Sequence, residues 1–165
     1  MSSGKLRALI AGLVGLAGSF ATARGALAQE APALLLHVAA EDAAVTAIDE
    51  RLRARLGALG VTLARRPEPT VNVAAVLDES ATGARPSCEG TPLAEAWLDG
   101  LVPGEATLVL VPCGADSALA RRLAAPDGFD DVLLAELELI VDRAAQALLA
   151  AKPVGGSREA ARAAL

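Results

Sequence analysis

The sequence predicts an α+β fold: a two-layer sandwich in which a mostly antiparallel sheet of about five or six strands carries two helices on one face. Three observations lead there. Short apolar runs of strand length recur between turn residues, at 34–38, 61–64, 71–77 and 107–111. Two longer segments, 41–59 and 130–151, repeat apolar residues at three- and four-residue steps with charges between them, the signature of a helix with one buried stripe. The order is strand, helix, three or four strands, helix, and a helix with a single apolar stripe finds its flat partner in a sheet.

Leu34 to Val38 opens the fold as a short, continuous apolar strand around His37. Glu41 and Asp42 start the first helix, whose stripe is Val45, Ile48, Leu52, Leu56 and Leu59. Asp49 and Arg53 are spaced for an i,i+4 pair, acid at the start and Arg near the end suit the helix dipole, and Gly60 supplies the stop. Val61 to Ala64 is the second strand, and this strand–helix–strand unit should cross over with its strands parallel. Val71 to Leu77 reads as a third strand, with Val71, Val73 and Ala75 on one face. Residues 78–92 are turn-rich, with Gly83, Pro86, Gly90 and Pro92, and form the longest loop.

Residues 93–99 fit two descriptions. Thr91, Pro92 and Gly100 frame a short helix, whereas Leu101-Val102-Pro103-Gly104 turns a strand back onto Thr107–Val111 as a hairpin. The strand reading is preferred, and it brings Cys113 close to Cys88. Ala118 to Leu123 makes a further strand after the Gly114-Ala115-Asp116 turn. Asp127 to Asp130 leads into the closing helix, whose apolar face is Leu133, Leu137, Ile140, Val141, Ala144 and Leu148, and Pro153 and Gly155-Gly156 end it. Ser157 caps at most one short additional helix, too short to be stable alone. Residues 29–152 are therefore expected to be one domain, and 153–165 a flexible tail.

Ahead of the domain, Lys5 and Arg7 precede the uncharged run Ala8–Ala21, and Ala26-Leu27-Ala28 follows. Basic, apolar and small-x-small in that order describe a secretory signal cleaved after Ala28, giving a periplasmic or secreted product. The run of about 14–16 residues is short of the roughly 20 that span a bilayer, so a retained anchor over 8–23 is the second choice. Removal takes away Lys5, Arg7 and Arg24 and no acid, which moves the net charge from −5 to −8. So acidic a domain repels phosphate backbones, and no nucleic-acid partner is expected. Membrane contact is expected only if the leader is uncleaved. With no Tyr, and Trp97 and Phe129 the only aromatic residues after position 28, stacking platforms for sugars or bases are lacking.

Cys88 and Cys113 are the two cysteines, and in an exported chain they most simply form a disulfide. His37 is the single histidine. One histidine and two paired cysteines do not make a zinc site, and none of Ser80, Ser87 or Ser117 lies in a G-x-S-x-G elbow. No metal or cofactor is expected. Asp127, Asp130 and Asp131 lack the ladder of a calcium loop and suit helix capping. Asp78 and Glu79 beside Asp99 have the chemistry of an acid/base couple, but solvated turn residues explain them better. Candidate binding residues are Asp78, Glu79 and Arg85 in the long loop, with Arg121 and Arg122 as a secondary anion-binding patch.

Ala96-Trp97-Leu98-Asp99, Leu108–Pro112, Ala120-Arg121-Arg122-Leu123, Gly128-Phe129-Asp130 and a Glu-containing helix ending in Ala-Leu-Leu-Ala at 147–150 follow one another. Over roughly residues 93–165 this order resembles uncharacterised secreted α/β-module proteins of GC-rich Gram-negative bacteria, and the strand–helix–strand opening is similar to N-terminal domains of periplasmic Tol-type assembly proteins. The resemblance implies export and carries over no functional residue. The functional expectation is an exported, non-enzymatic binding or assembly module of the envelope, partnered by another envelope protein. The alternative is a secreted hydrolase using His37. The surroundings of His37 separate the two.

Overall fold

The computed structural model describes residues 31–78, 88 and 92–165. Along them run β1 (Ala33–Ala39), α1 (Asp42–Ala58), β2 (Thr62–Pro67), α2 (Val73–Leu77), β3 (Pro92–Asp99), β4 (Gly104–Pro112), β5 (Ser117–Ala125), α3 (Asp131–Leu149), β6 (Gly156–Ser157) and α4 (Arg158–Ala163). The strands form one open sheet in the order β2-β1-β3-β4-β5-β6. β1 lies parallel to β2 and β3, and the pairs β3–β4, β4–β5 and β5–β6 are antiparallel. The fold is α+β, as the sequence predicts, and residues 92–99 take the strand conformation.

The two-residue alternation of each strand divides the sheet into two faces. Leu34, Leu36, Val38, Ala94, Ala96, Leu98, Leu108 and Leu110 share the main core with the stripes of α1 and α3. On α1 the buried residues are Val45, Ile48, Leu52 and Leu56, and the chain leaves the helix through Gly60 at φ +73°, a left-handed position that glycine takes without a Cβ clash. Asp130 caps α3, its Oδ1 accepting the Leu133 N–H at 2.8 Å. Burying each large aliphatic side chain in this layer contributes about 1.5–3 kcal/mol, so the two helices on this face and the sheet beneath them hold the main core together.

The opposite face is covered too, and here two expectations fail. Residues 71–77 are not a strand: Asn72 accepts the Ala75 N–H through Oδ1 at 3.0 Å and caps the short helix α2. An Asn cap followed by Val-Ala-Ala outweighs a period-two pattern only a few residues long. Nor is 153–165 a flexible tail. β6 pairs Gly156 with Ala118 and Ser157 with Ser117. Ser157 Oγ caps α4 on the Ala160 N–H at 3.1 Å. Ala161 packs with Val71, Val76, Leu77, Trp97, Val109 and Val111 in a second core. The Arg162 guanidinium donates to the Leu77 carbonyl at 2.7 Å. A six-residue helix unstable in isolation is stabilised by this tertiary contact.

Candidate functional site

His37 lies on the second face because its strand neighbours, Leu36 and Val38, are committed to the main core. In the parallel register it sits between Arg66 of β2 and Trp97 of β3. The imidazole stacks on the Trp97 indole, with ring centroids 5.1 Å apart and planes 7° from parallel. Neither ring is much exposed, at 6% for His37 and 8% for Trp97.

Both imidazole nitrogens face carboxylates. Nδ1 is 3.2 Å from Glu68 Oε1, within hydrogen-bonding distance. Nε2 is 3.4 Å from Glu95 Oε2 but makes no hydrogen bond among the described residues. Glu95 is buried on β3, one pleat from Trp97, and its Oε1 accepts the backbone N–H of Cys88 at 3.1 Å. Glu68 follows β2 directly, held by its own N–H on the Val38 carbonyl at 2.9 Å. It reaches the lining of an open cavity of about 560 Å³ beyond the carboxyl ends of β1 and β2, along with Asp42, Thr46 and Arg65.

Cys88 and Cys113 form a disulfide with Cα atoms 5.8 Å apart. Cys113 is placed by its N–H on the Leu93 carbonyl at 3.0 Å, just beyond the β3–β4 hairpin. Cys88 holds φ at +45°, a conformation costly for a residue with a Cβ. It is held there by the disulfide and by Glu95. A chain of contacts thus runs from the disulfide through Glu95 and His37 to Glu68, backed by Trp97.

This arrangement differs from that of a nucleophile-activating base. A serine–histidine–carboxylate triad needs the hydroxyl on one imidazole nitrogen and the carboxylate on the other, whereas here each nitrogen has a carboxylate beside it. No hydroxyl or free thiol among the described residues hydrogen-bonds to His37. Ser117 is on β5, in the pair with Ser157, and Ser80 and Ser87 lie outside the described residues. Among the described residues no cluster of three or more His, Cys, Asp or Glu is arranged to hold a metal ion.

The other described sequence candidates are not gathered into one site. Asp78 ends α2 and lies 3.6 Å from the Arg162 guanidinium. Glu79 and Arg85 lie outside the described residues. Arg121 and Arg122 are adjacent on β5 and therefore emerge on opposite faces. Arg122 pairs with Glu105 at 3.6 Å, while Arg121 lines a groove against α3. Asp99 accepts the Leu101 N–H at 3.1 Å, a turn role. The buried Glu95 was not singled out in the sequence, where the Ala94-Glu95-Ala96-Trp97 alternation held its only signal: one carboxylate on the same strand face as Trp97.

The chain matches no known family profile, no curated protein and no solved structure.

Proposed function

We propose that the chain is an exported, non-enzymatic module of the bacterial envelope that binds or assembles with another envelope protein through the 78–92 segment. The observation that carries this reading is the fastening of that segment at two points. Asp78 faces Arg162 of α4 at its start. Cys88 is bonded to Cys113 and hydrogen-bonded to buried Glu95 near its end. A segment tied to a rigid sheet at two points loses less freedom when a partner binds, which favours recognition. The His37–Glu68–Glu95–Trp97 cluster then serves as the buried support of Cys88. The disulfide suits an oxidising compartment, in keeping with the secretory character of residues 1–28, and among the described residues no helix is long and apolar enough to cross a membrane.

The test is site-specific photocrosslinking in cells. A photoreactive residue at Arg85 should give a discrete adduct in the envelope fraction, and the same residue at exposed Arg53 on α1 should not. Adducts from neither position, or equally from both, would remove the loop as the binding surface. Recovery of the full-length chain, leader included, in the cytoplasm would remove export.

A further inference from the structure

The two edges of the sheet are finished differently. β2 is blunted: the Arg53 guanidinium approaches the Leu63 carbonyl at 3.5 Å, and the strand ends at Pro67, which has no N–H. Such features discourage another strand from pairing. On the far side β6 covers only Ser117 and Ala118 of β5. Gly155, next in that register, lies against Ala118 and Leu119, so close that a Cβ on it would come within 2.7 Å of the Leu119 nitrogen. From Ala120 to Ala124 no described segment pairs with the outer edge, and the Ala120 carbonyl accepts from the Arg121 side chain at 3.3 Å. Nothing interrupts this stretch, which holds neither proline nor glycine.

Beside that open edge runs a groove of about 350 Å³, lined by Leu119, Arg121, Ile140, Arg143, Ala144 and Val154 among others. Its walls are aliphatic, and its two cations, Arg121 and Arg143, form no ion pair among the described residues. In a chain of net charge −5, where Arg51, Arg53, Arg55, Arg122 and Arg162 have carboxylate partners, two guanidiniums without an ion pair lining one aliphatic groove leave room for an added acid.

We propose that the β5 edge from Ala120 to Ala124 takes an extended segment of a partner protein as an added antiparallel strand, with an acidic residue opposite Arg121 and a small aliphatic residue two positions away, opposite Leu123. Backbone pairing along 120–124 supplies the hydrogen bonds, and alternate side chains of the added strand turn toward the groove, the general logic of strand addition. The acidic residue answers Arg121 and Arg143, and the aliphatic residue faces the α3 side of the sheet beside Leu123. A second copy of this chain is a poor occupant: two β5 strands paired antiparallel about their arginines would set like charges opposite one another. This surface is separate from the 78–92 segment and stands whether or not that segment binds.

The probe is the five-residue capped peptide Thr-Val-Thr-Glu-Thr, which in the antiparallel sense sets glutamate opposite Arg121 and valine opposite Leu123, titrated into the whole chain with backbone amides followed by NMR. Binding should shift the amides of Ala120, Arg122 and Ala124. Two N-methylated versions, blocking alternate amides, separate strand pairing from simple charge attraction: one set should abolish binding and the other leave it. Replacing glutamate by lysine should weaken binding at least about tenfold, and R121E/R143E, both on the surface, should reverse that preference. The proposal is overturned if the parent peptide does not bind, if both N-methylated peptides bind as well as the parent, if the shifts fall on β2, or if the chain self-associates through β5 without peptide.

Discussion

Arg55 of α1 donates to Oδ2 of Asp142 on α3 at 2.9 Å, a bond that ties together the two long helices of the main layer. Asp142 is the buried partner, its side chain 4% exposed against 54% for Arg55. Gln146, one turn on, donates to the same oxygen at 2.9 Å. A second cross-link joins Arg51 to Asp131 at the start of α3. The helix pair is therefore held by apolar stripes below and by ion pairs along its upper seam.

The Arg55–Asp142 pair predicts an acid-sensitive part of the stability. The Arg55 hydrogen bond holds the Asp142 carboxyl below the usual carboxylate range, against the opposing effect of burial, and Gln146 adds to the lowering. A group depressed on folding stabilises the native state fully above its unfolded value of about 3.9, and that contribution disappears as pH falls through the lower folded value. Melting temperatures measured by circular dichroism from pH 7 to pH 2 should fall less steeply below about pH 4 in D142N than in the native chain. Parallel curves for the two proteins would show that the pair does not carry this dependence.

The disulfide closes a loop with a sequence separation of 25, for which chain-entropy arithmetic gives on the order of 3 kcal/mol. The double variant C88S/C113S should therefore lose about 2–4 kcal/mol in urea unfolding. Trp97 is the single tryptophan of the chain and is buried on the same face, so its fluorescence reports the transition directly. A loss within experimental error of zero would mean that Cys88 is held equally well by Glu95 alone.

Much of this architecture was legible because it rests on long, one-signal patterns. The stripe Val45-Ile48-Leu52-Leu56 admits only a helix, and Asp49–Arg53 closes at 2.9 Å where its spacing placed it. The Cys88–Cys113 pairing was legible because these are the two cysteines of the chain, and the hairpin turned at residues 101–104 brings Cys113 close to Cys88. What failed was short. At 71–77, strand and helix patterns differ by one or two positions, and Asn72 decides between them through a local cap. In 153–165 the deciding contacts, Ala161 against Trp97 and Arg162 on the Leu77 carbonyl, lie some 60–85 residues apart in sequence and leave no local trace. The cluster around His37 is of the same kind: the ring reads as a lone strand histidine until the register sets Trp97 and Glu95 beside it.

That cluster makes a prediction of its own. In H37L, Glu95 loses the ring facing its Oε2 while remaining 3% exposed. H37L also removes the 3.2 Å contact of Nδ1 with Glu68 and the ring stacked on Trp97, and losing a buried polar contact costs about 1–3 kcal/mol, so H37L should destabilise by that amount in the same fluorescence assay. E68Q touches a group 34% exposed and should cost less than about 1 kcal/mol. Equal effects from both would mean that the burial of Glu95 is not what the imidazole supports.

Two glycines test whether the C-terminal segment is truly clamped to the sheet. Gly155 has φ +75°, and a Cβ there would collide with the Ala118 carbonyl of β5. Neither strain is relieved unless β6 and α4 lift off. G155A should therefore destabilise by about 2–4 kcal/mol, with hydrogen exchange accelerated at Ala161 and in the second core. Gly57, within α1, has open space where its Cβ would go, and G57A should stabilise by about 0.5–1 kcal/mol through the usual helical preference for alanine. If G155A were as harmless as G57A, the 153–165 segment would not be the docked element seen here, and the second core would have to hold without it.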